Sequence, residues 1–377
     1  MKKVLFVATL VKNHIAEFHL PYLKLFKDMG WETAVAAKND YENPADCVIP
    51  GCDVFYDVPF ERSPLKKGNL HAYRMVKRII RENSFDLIHC HTPVGAAVAR
   101  LAARKSRKTG TRVIYTAHGF HFYKGAPLVN WLVYFPVEWL LAPLTDVLIT
   151  INREDYDRAK RLLHAKKTVY IPGVGIDTAR FRGNEEKGAA LRRELGIPEN
   201  AEVLLSVGDI NKNKNHRAVL DALAGMENQN LFYVVCGRGP LKEELEAFAR
   251  EKGLGNHVRF MGYRNDIPDF YAMADIFVFP SFREGLSVSV MEAMASGKPI
   301  VCSRIRGNTD LVEDGVNGLL IDPGDPRSIA AAVLRLYDSG KQEEISQNNR
   351  EKAKSYSLGA IVEEYRKVYL EASGGNG

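Results

Sequence analysis

Twelve short apolar runs, separated by stretches of helical periodicity, divide this 377-residue chain into two successive series. The first series is Val4–Ala8, Ala34–Ala37, Leu87–Cys90, Val113–Ala117, Val147–Ile151 and Val169–Ile171. The second is Val203–Val207, Phe232–Cys236, Val258–Met261, Ile276–Phe279, Ile300–Cys302 and Gly318–Ile321. Runs this short, nearly all apolar, suit strands buried on both faces, and the spacers Leu70–Arg81 and Gly95–Arg107 have the period of amphipathic helices. Strand–helix alternation predicts parallel, doubly wound sheets with ligands at the carboxyl ends of the strands. Two such series predict two Rossmann-like domains facing across a cleft, an α/β chain throughout. The break falls in Pro172–Pro198, with its glycines and the charged helical patch Glu185–Glu194. The expected division is residues 1–180 and 181–357, with a final helix 358–370 able to pack back on the first domain.

Composition narrows the class. With 46% hydrophobic and 26% charged residues, the chain is an ordinary globular one. Met1-Lys2-Lys3 before Val4–Val11 imitates a secretory signal, but Lys12, Asn13 and His14 cut the apolar run short, so a buried strand is expected there. No run reaches the roughly 18 apolar residues of a spanning helix; Gly125–Val137 comes nearest and ends at Pro136 and Glu138. Five cysteines without a C-x-x-C pair point to a reducing cytoplasm, Cys47 and Cys52 reading as ordinary thiols. The formal charge of +6 is unevenly spread. Residues 1–180 carry 27 Lys and Arg against 17 Asp and Glu, and the remainder carries 25 against 29. The first half is therefore expected to face something anionic.

Three segments carry chemistry, each after a strand. In Phe282–Gly297, Glu284 lies on a strand-to-helix loop beside Gly285, and Glu292 lies in the helix that follows. A glycine at a helix entrance lets backbone N–H groups approach an anionic ligand. On spacing alone the segment reads equally well as a capped surface helix. The second segment runs Val207-Gly208-Asp209-Ile210-Asn211-Lys212-Asn213-Lys214, a glycine-ended strand followed by lysines that suit a phosphate. It lacks P-loop spacing, and Gly237-Arg238-Gly239-Pro240 lacks the third glycine of a dinucleotide fingerprint, which disfavours a nicotinamide dehydrogenase. The third is Tyr115–His121, placing His118 at a strand's carboxyl end, where it either serves a substrate or packs against a carbonyl.

As a set, these segments resemble the retaining nucleotide-sugar glycosyltransferases of family four, which have the GT-B fold, and within them the bacterial capsular and exopolysaccharide branch. The resemblance runs nearly the full length: Val4–Thr9 with Phe18-His19-Leu20-Pro21, Thr116–Tyr123, the Lys214 segment, Gly237–Pro240, Glu284-x7-Glu292 and Arg306-Gly307-Asn308-Thr309-Asp310. It implies transfer of a hexosyl or N-acetylhexosaminyl group from a nucleotide-diphosphate sugar, a UDP-sugar by expectation, to a polyprenyl-diphosphate-linked or other glycan acceptor. Glu292 would hold the ribose, with the base near Met261–Arg264. Glu284 and the backbone of Gly285, Leu286 and Ser287 would hold the sugar and diphosphate, beside Gly208, Gly237 and Gly239. Lys214 would neutralise the leaving diphosphate, and His118 would contact the donor from the other domain. The loop bearing Asn13 and His14 would face the acceptor. Front-face attack would retain configuration without a protein nucleophile, and no metal or other cofactor is expected. Two departures bear on the diphosphate and acceptor contacts: Asp209 stands where many relatives have Arg, with Lys212 as its substitute, and Lys12-Asn13-His14 stands where many have a Gly-Gly loop.

Other patterns imitate functional motifs. Asp155-Tyr156-Asp157 spells the D-x-D of metal-dependent transferases but lies in a heavily charged helical segment and reads as a solvated face. In His89-Cys90-His91, strand alternation lets at most His89 and His91 converge. Basic residues cluster in Lys66–Arg81 and Arg100–Arg112, with the aromatic stretch Ala126–Leu141 between them in function. Together they suggest docking of the first domain on an anionic membrane surface, at the inner face of the cell membrane; the same stretch also reads as a core helix. No RNA- or DNA-binding signature accompanies the basic residues, so nucleic acid is not expected. The alternatives are a nucleotide-sugar 2-epimerase of the same architecture and a non-catalytic nucleotide-sugar binding protein.

Overall fold

The computed structural model describes residues 1–64, 66–226 and 230–374. The chain forms two compact units: Met1–Val174 together with the chain from Gly359 onward, and Gly175–Leu358. The division thus falls between Val174 and Gly175, and the last helix, Leu358–Ala372, belongs to the first unit. Its Ile361, Tyr365, Val368 and Tyr369 are buried with Phe6, Phe26 and Ile114 in one apolar cluster.

The first unit holds a seven-stranded parallel sheet: β1 (Lys3–Leu10), β2 (Glu32–Lys38), β3 (Val54–Asp57), β4 (Leu87–His91), β5 (Arg112–Ala117), β6 (Val147–Thr150) and β7 (Lys167–Tyr170), in the order β3-β2-β1-β4-β5-β6-β7. The second holds six parallel strands: β8 (Glu202–Val207), β9 (Leu231–Cys236), β10 (Val258–Gly262), β11 (Ile276–Phe279), β12 (Ile300–Ser303) and β13 (Gly318–Ile321), in the order β10-β9-β8-β11-β12-β13. Both are doubly wound. β1 pairs with β2 on one side and β4 on the other, and β8 likewise lies between β9 and β11. The order in which successive strands are added reverses at these points, opening a crevice at the strand ends. All twelve apolar runs are strands. The thirteenth, β3, is a four-residue edge strand whose sequence Val-Phe-Tyr-Asp lacks a clean apolar run.

In the first unit the helix Pro93–Ala102 follows β4 through Thr92, whose φ of 60° and ψ of 146° are strained for a β-branched residue. Thr92 is held there by Thr9, whose amide donates to its hydroxyl at 3.2 Å and whose own hydroxyl lies at 2.7 Å. The helix Leu128–Leu141 runs through Pro136. One side, with Trp131, Tyr134 and Phe135, packs on the core, while Leu128, Leu132 and Leu140 are 80%, 76% and 64% exposed. It is anchored by the buried ion pair of Glu138 with Arg100 at 2.8 Å, to which the Tyr115 hydroxyl adds a hydrogen bond at 3.2 Å. Arg100 therefore leaves the basic surface to which its sequence neighbours assign it. The helix is neither fully core nor fully exposed.

Candidate active site

In the second unit the site residues gather at the carboxyl ends of β8 and β11. Gly208 ends β8 at φ +148°, and its amide donates to the Cys236 carbonyl at 2.9 Å. Gly237, at the end of β9, approaches it so closely that a Cβ there would lie 1.9 Å from the Gly208 carbonyl oxygen. Gly239 is equally confined by Ile210, whose carbonyl a Cβ would meet at 2.2 Å. These glycines are thus required by the contact between two loops. Buried His216 supports the same loop: its Nε2 lies 3.2 Å from the Asp209 carbonyl and its Nδ1 2.9 Å from the Tyr233 hydroxyl. Burial pushes its imidazole down to about 4. Asp209 itself is exposed, as is Lys212.

The loop after β8 meets the loop after β11 through one ion pair. Lys214 Nζ lies 2.8 Å from Glu284 Oε1, with side chains 19% and 15% exposed. Lys214 also sits 4.6 Å from the centre of the Phe279 ring. Asn213 fixes the pair's backbones, donating from Nδ2 to the Arg283 carbonyl at 2.9 Å and accepting from the Phe282 amide at 2.9 Å. From the far side the Arg306 Nε donates to the Glu284 carbonyl at 3.1 Å. Gly307, at φ +81°, packs where a Cβ would fall 2.3 Å from the Gly285 carbonyl. Ser287 caps the helix Val288–Ala295, accepting from the Val290 amide at 3.3 Å. Leu286 is buried. Glu292 Oε2 lies 3.1 Å from the hydroxyl of Tyr271, whose ionisation is pushed well up by burial and then by that carboxylate. Glu284, Lys214 and the glycines are thereby brought together, while Glu292 lies in the helix that follows, against Tyr271. Arg264, beyond the end of β10, instead forms a two-pronged pair with Asp266 at 2.8 and 2.6 Å. Next to it Tyr263 exposes 64% of its surface, with Arg238 5.3 Å from its ring centre. Neither Tyr263 nor His216 carries a motif. Position at a strand end identifies the first and burial of a polar ring the second.

In the first unit, His118 follows β5 and its Nε2 lies 3.3 Å from Nδ1 of His91, at the end of β4. His14, on the helical turn Val11–Ala16, has Nε2 3.2 Å from that of His19. Burial drives His118 down to about 4, and burial with mutual repulsion lowers His14, His19 and His91 too, so all four are neutral at pH 7. Asn13 is turned back to Asp40, to which its side chain donates. A cavity of about 260 Å³ adjoins them, lined by Thr9, Asn13, His14, Arg62, Thr92 and Val94. A larger one of about 600 Å³, with Phe85, Asp86 and Thr111, lies at the amino ends of β4 and β5, away from the switch point.

Of two sequence patterns, the first resolves differently from its reading and the second as expected. Asp155 is not solvated: it is fully buried and accepts from the Phe120 amide and from Asn152 Nδ2, each at 3.0 Å, fixing the loop after His118. Only Asp157 is exposed. His89 and His91 do approach, ring centres 4.0 Å apart, but His89 is occupied on both nitrogens, by Thr116 and Tyr369 at 2.9 Å.

Two doubly wound parallel sheets, each with its polar residues at the switch point, are the architecture of GT-B glycosyltransferases. The structure of Anabaena Alr3699/HepE in complex with UDP-glucose has this fold: it superposes over 98% of this chain and 100% of its own with a TM-score of 0.81 at 22% identity. The chain belongs to glycosyltransferase family four: the model for Glycosyltransferase Family 4 matches residues 23–180, that for Glycosyl transferases group 1 matches 189–353, and EpsD of Bacillus subtilis (strain 168) is 41% identical over 373 residues, 98% of this chain and 96% of that one. A 28% identical relative from Escherichia coli, aligned over 78% of this chain and 77% of its own, is named UDP-Gal:alpha-D-GlcNAc-diphosphoundecaprenol alpha-1,3-galactosyltransferase. The chain is therefore a glycosyltransferase, in place of the epimerase and binding-protein alternatives.

Proposed function

We propose that this transferase moves a sugar, with retention of configuration, from a UDP-sugar to a polyprenyl-diphosphate-linked glycan during cell-surface polysaccharide synthesis. The observation that carries the reading is the Lys214–Glu284 pair at the β8/β11 switch point, set between a glycine-lined loop and the start of the helix Val288–Ala295. Breaking the bond between the sugar and the diphosphate builds negative charge on the leaving group and positive character on the sugar ring. A fixed ammonium and a helix N-terminus stabilise the first, and a carboxylate beside the sugar steadies the second. The acceptor hydroxyl attacks from the face the diphosphate leaves, and its proton passes to the departing diphosphate, so no protein nucleophile is needed. Glu292, positioned by Tyr271, accepts from the ribose hydroxyls. Tyr263 offers the base a stacking face. Lys214 serves the diphosphate without a metal.

UDP is favoured by the names of the HepE complex and of the E. coli relative, and a lipid diphosphate by the latter. The first unit suits such an acceptor. Its helix Leu128–Leu141 presents exposed leucines, and the helix Gly68–Asn83, packed on the same apolar cluster, exposes Arg74, Lys77, Arg78 and Arg81. Apolar side chains that enter the headgroup boundary, with cations that attract anionic lipid at about 1 kcal/mol each, make a peripheral membrane surface at the cytoplasmic face. No helix among the described residues is long and apolar enough to cross a membrane. A thermal-shift screen over UDP-, GDP- and ADP-sugars tests the donor assignment. A UDP-sugar should raise the melting temperature because it binds the folded state alone, and stabilisation by GDP- or ADP-sugars only would refute it.

A further inference from the structure

His14, His19, His91 and His118 come from four separate elements: the turn Val11–Ala16, the link to the helix Leu20–Asp28, the end of β4 and the loop after β5. One nitrogen of each lies within 4.8 Å of one nitrogen of every other. A tetrahedral imidazole site with metal–nitrogen bonds of about 2.0–2.1 Å places ring centres roughly 5 Å apart. Five of the six ring-centre separations here are 4.9, 5.0, 5.5, 5.6 and 5.8 Å. The sixth, His19 to His91, is 3.8 Å and would open on coordination. The two shortest nitrogen–nitrogen distances, 3.2 and 3.3 Å, match an edge of that tetrahedron, about 3.3 Å.

The cluster is also short of hydrogen-bond partners. His19 Nδ1 and His91 Nε2 are buried without any, on residues no more than 1% exposed. Four neutral imidazoles carry four lone pairs, and the cluster's hydrogen bonds join only His14 to His19 and His91 to His118. An ion bound by the nitrogens now 3.2 and 3.3 Å apart takes the place of those two contacts and leaves His19 Nδ1 and His91 Nε2 as they are. The adjacent His89 is the internal contrast, being engaged on both nitrogens by Thr116 and Tyr369.

We propose that these four histidines form a binding site for a divalent transition cation of the Zn²⁺ type. An all-imidazole set selects Zn²⁺, Co²⁺, Ni²⁺ or Cu²⁺ over Mg²⁺ and Ca²⁺, which take oxygen ligands. Burial holds all four rings in the neutral form that binds metal. A closed site of four ligands leaves no position for substrate, so the ion clasps the Val11–His19 segment to β4 and β5 and is not a Lewis acid. Coordination also withdraws His14 from the 260 Å³ cavity.

The test uses the untagged full-length chain, stripped with a chelator and titrated with Co²⁺, then Zn²⁺. One Co²⁺ per chain with the intense visible absorption of four-coordinate cobalt, displaced by Zn²⁺ and not by Mg²⁺, is the expected result. His14→Gln and His118→Gln, at the more exposed pair, should each weaken binding at least about tenfold while melting normally without metal. In the wild type, long-range ¹⁵N spectra should show Zn²⁺ shifting four ring systems and leaving His89 and His216 unchanged, whether or not the variants fold. Absence of binding at micromolar metal, a weak six-coordinate spectrum, or unchanged affinity in both variants would overturn the site. Because none of these readouts requires turnover, failure of the metal site and failure of the proposed transfer remain distinguishable.

Discussion

Lys214 and Glu284 hold each other at 2.8 Å in a partly buried loop pair, and each is expected to matter only when a donor's charge develops between them. Lys214→Ala and Glu284→Ala should each lower transfer at least about tenfold, near 1.4 kcal/mol of barrier, in initial-rate assays with saturating donor. Unchanged rates in both would remove the pair from the chemistry. A second residue-scale expectation concerns acid. His216 is 3% exposed, its pKa brought down to about 4 from 6.5 by burial. A depressed histidine pKa means that the unfolded chain binds the proton first, so the stability this group lends is complete above pH 6.5 and is lost as pH falls toward 4. The size is on the order of 3 kcal/mol. His14, His19, His89 and His91 are lowered in the same direction. Thermal melts should therefore fall steeply between pH 6.5 and 4, with a shallower slope in His216→Phe, and a flat profile would contradict the burial argument. Lys214 and Glu284 stood out in the sequence because each follows a strand, where doubly wound sheets place ligands, while the roles given to them and to Glu292 came from the family resemblance. Tyr263 lay within the Met261–Arg264 segment expected near the base, but its exposure, like the burial of His216, is a property of packing that the sequence did not display.

At the level of elements, the helix Leu128–Leu141 combines a buried anchor with an apolar outer face. The Arg100–Glu138 pair, at 1% and 8% exposure, holds it to the sheet. Arg100→Ala leaves a buried carboxylate unpaired and should cost about 3–5 kcal/mol in chemical denaturation, whereas Arg100→Met with Glu138→Leu should recover most of the loss. A cost below about 1 kcal/mol would show that the pair does not anchor the helix. On the outer face, Leu132→Glu with Leu140→Glu touches 76% and 64% exposed positions and should leave the melting temperature within a degree or two. Flotation with anionic liposomes should fall several-fold for that variant, and equal flotation would sink the membrane-facing role. Sequence periodicity left open whether this stretch was core or interface, because a helix apolar on all sides has no moment to orient it. Pairing of Arg100 with a glutamate 38 residues away was equally out of reach, and removes from the surface a charge that composition counts there.

On the scale of the whole molecule, two strand series became two doubly wound sheets, and their order placed Gly208, Lys214 and Glu284 at the β8/β11 switch point and Arg264 out at the edge strand β10. The edge strand β3 escaped notice because an edge needs only one buried side. The histidine cluster escaped because its members are spread from residue 14 to residue 118 and meet only when β4 and β5 stand beside β1. The charge asymmetry takes its meaning from the proposed function: the basic half is the unit proposed to meet an anionic lipid, and the other is proposed to hold its nucleotide with a lysine, a helix N-terminus and two glutamates. The most direct measurement of the central claim is to incubate the chain with UDP-sugars and a polyprenyl-diphosphate-linked sugar, then determine the new linkage by NMR. The account expects UDP release and a glycolipid whose new bond keeps the donor's anomeric configuration, both abolished or reduced at least about tenfold by Lys214→Ala. An inverted product, or UDP-sugars that are neither bound nor consumed, would contradict it.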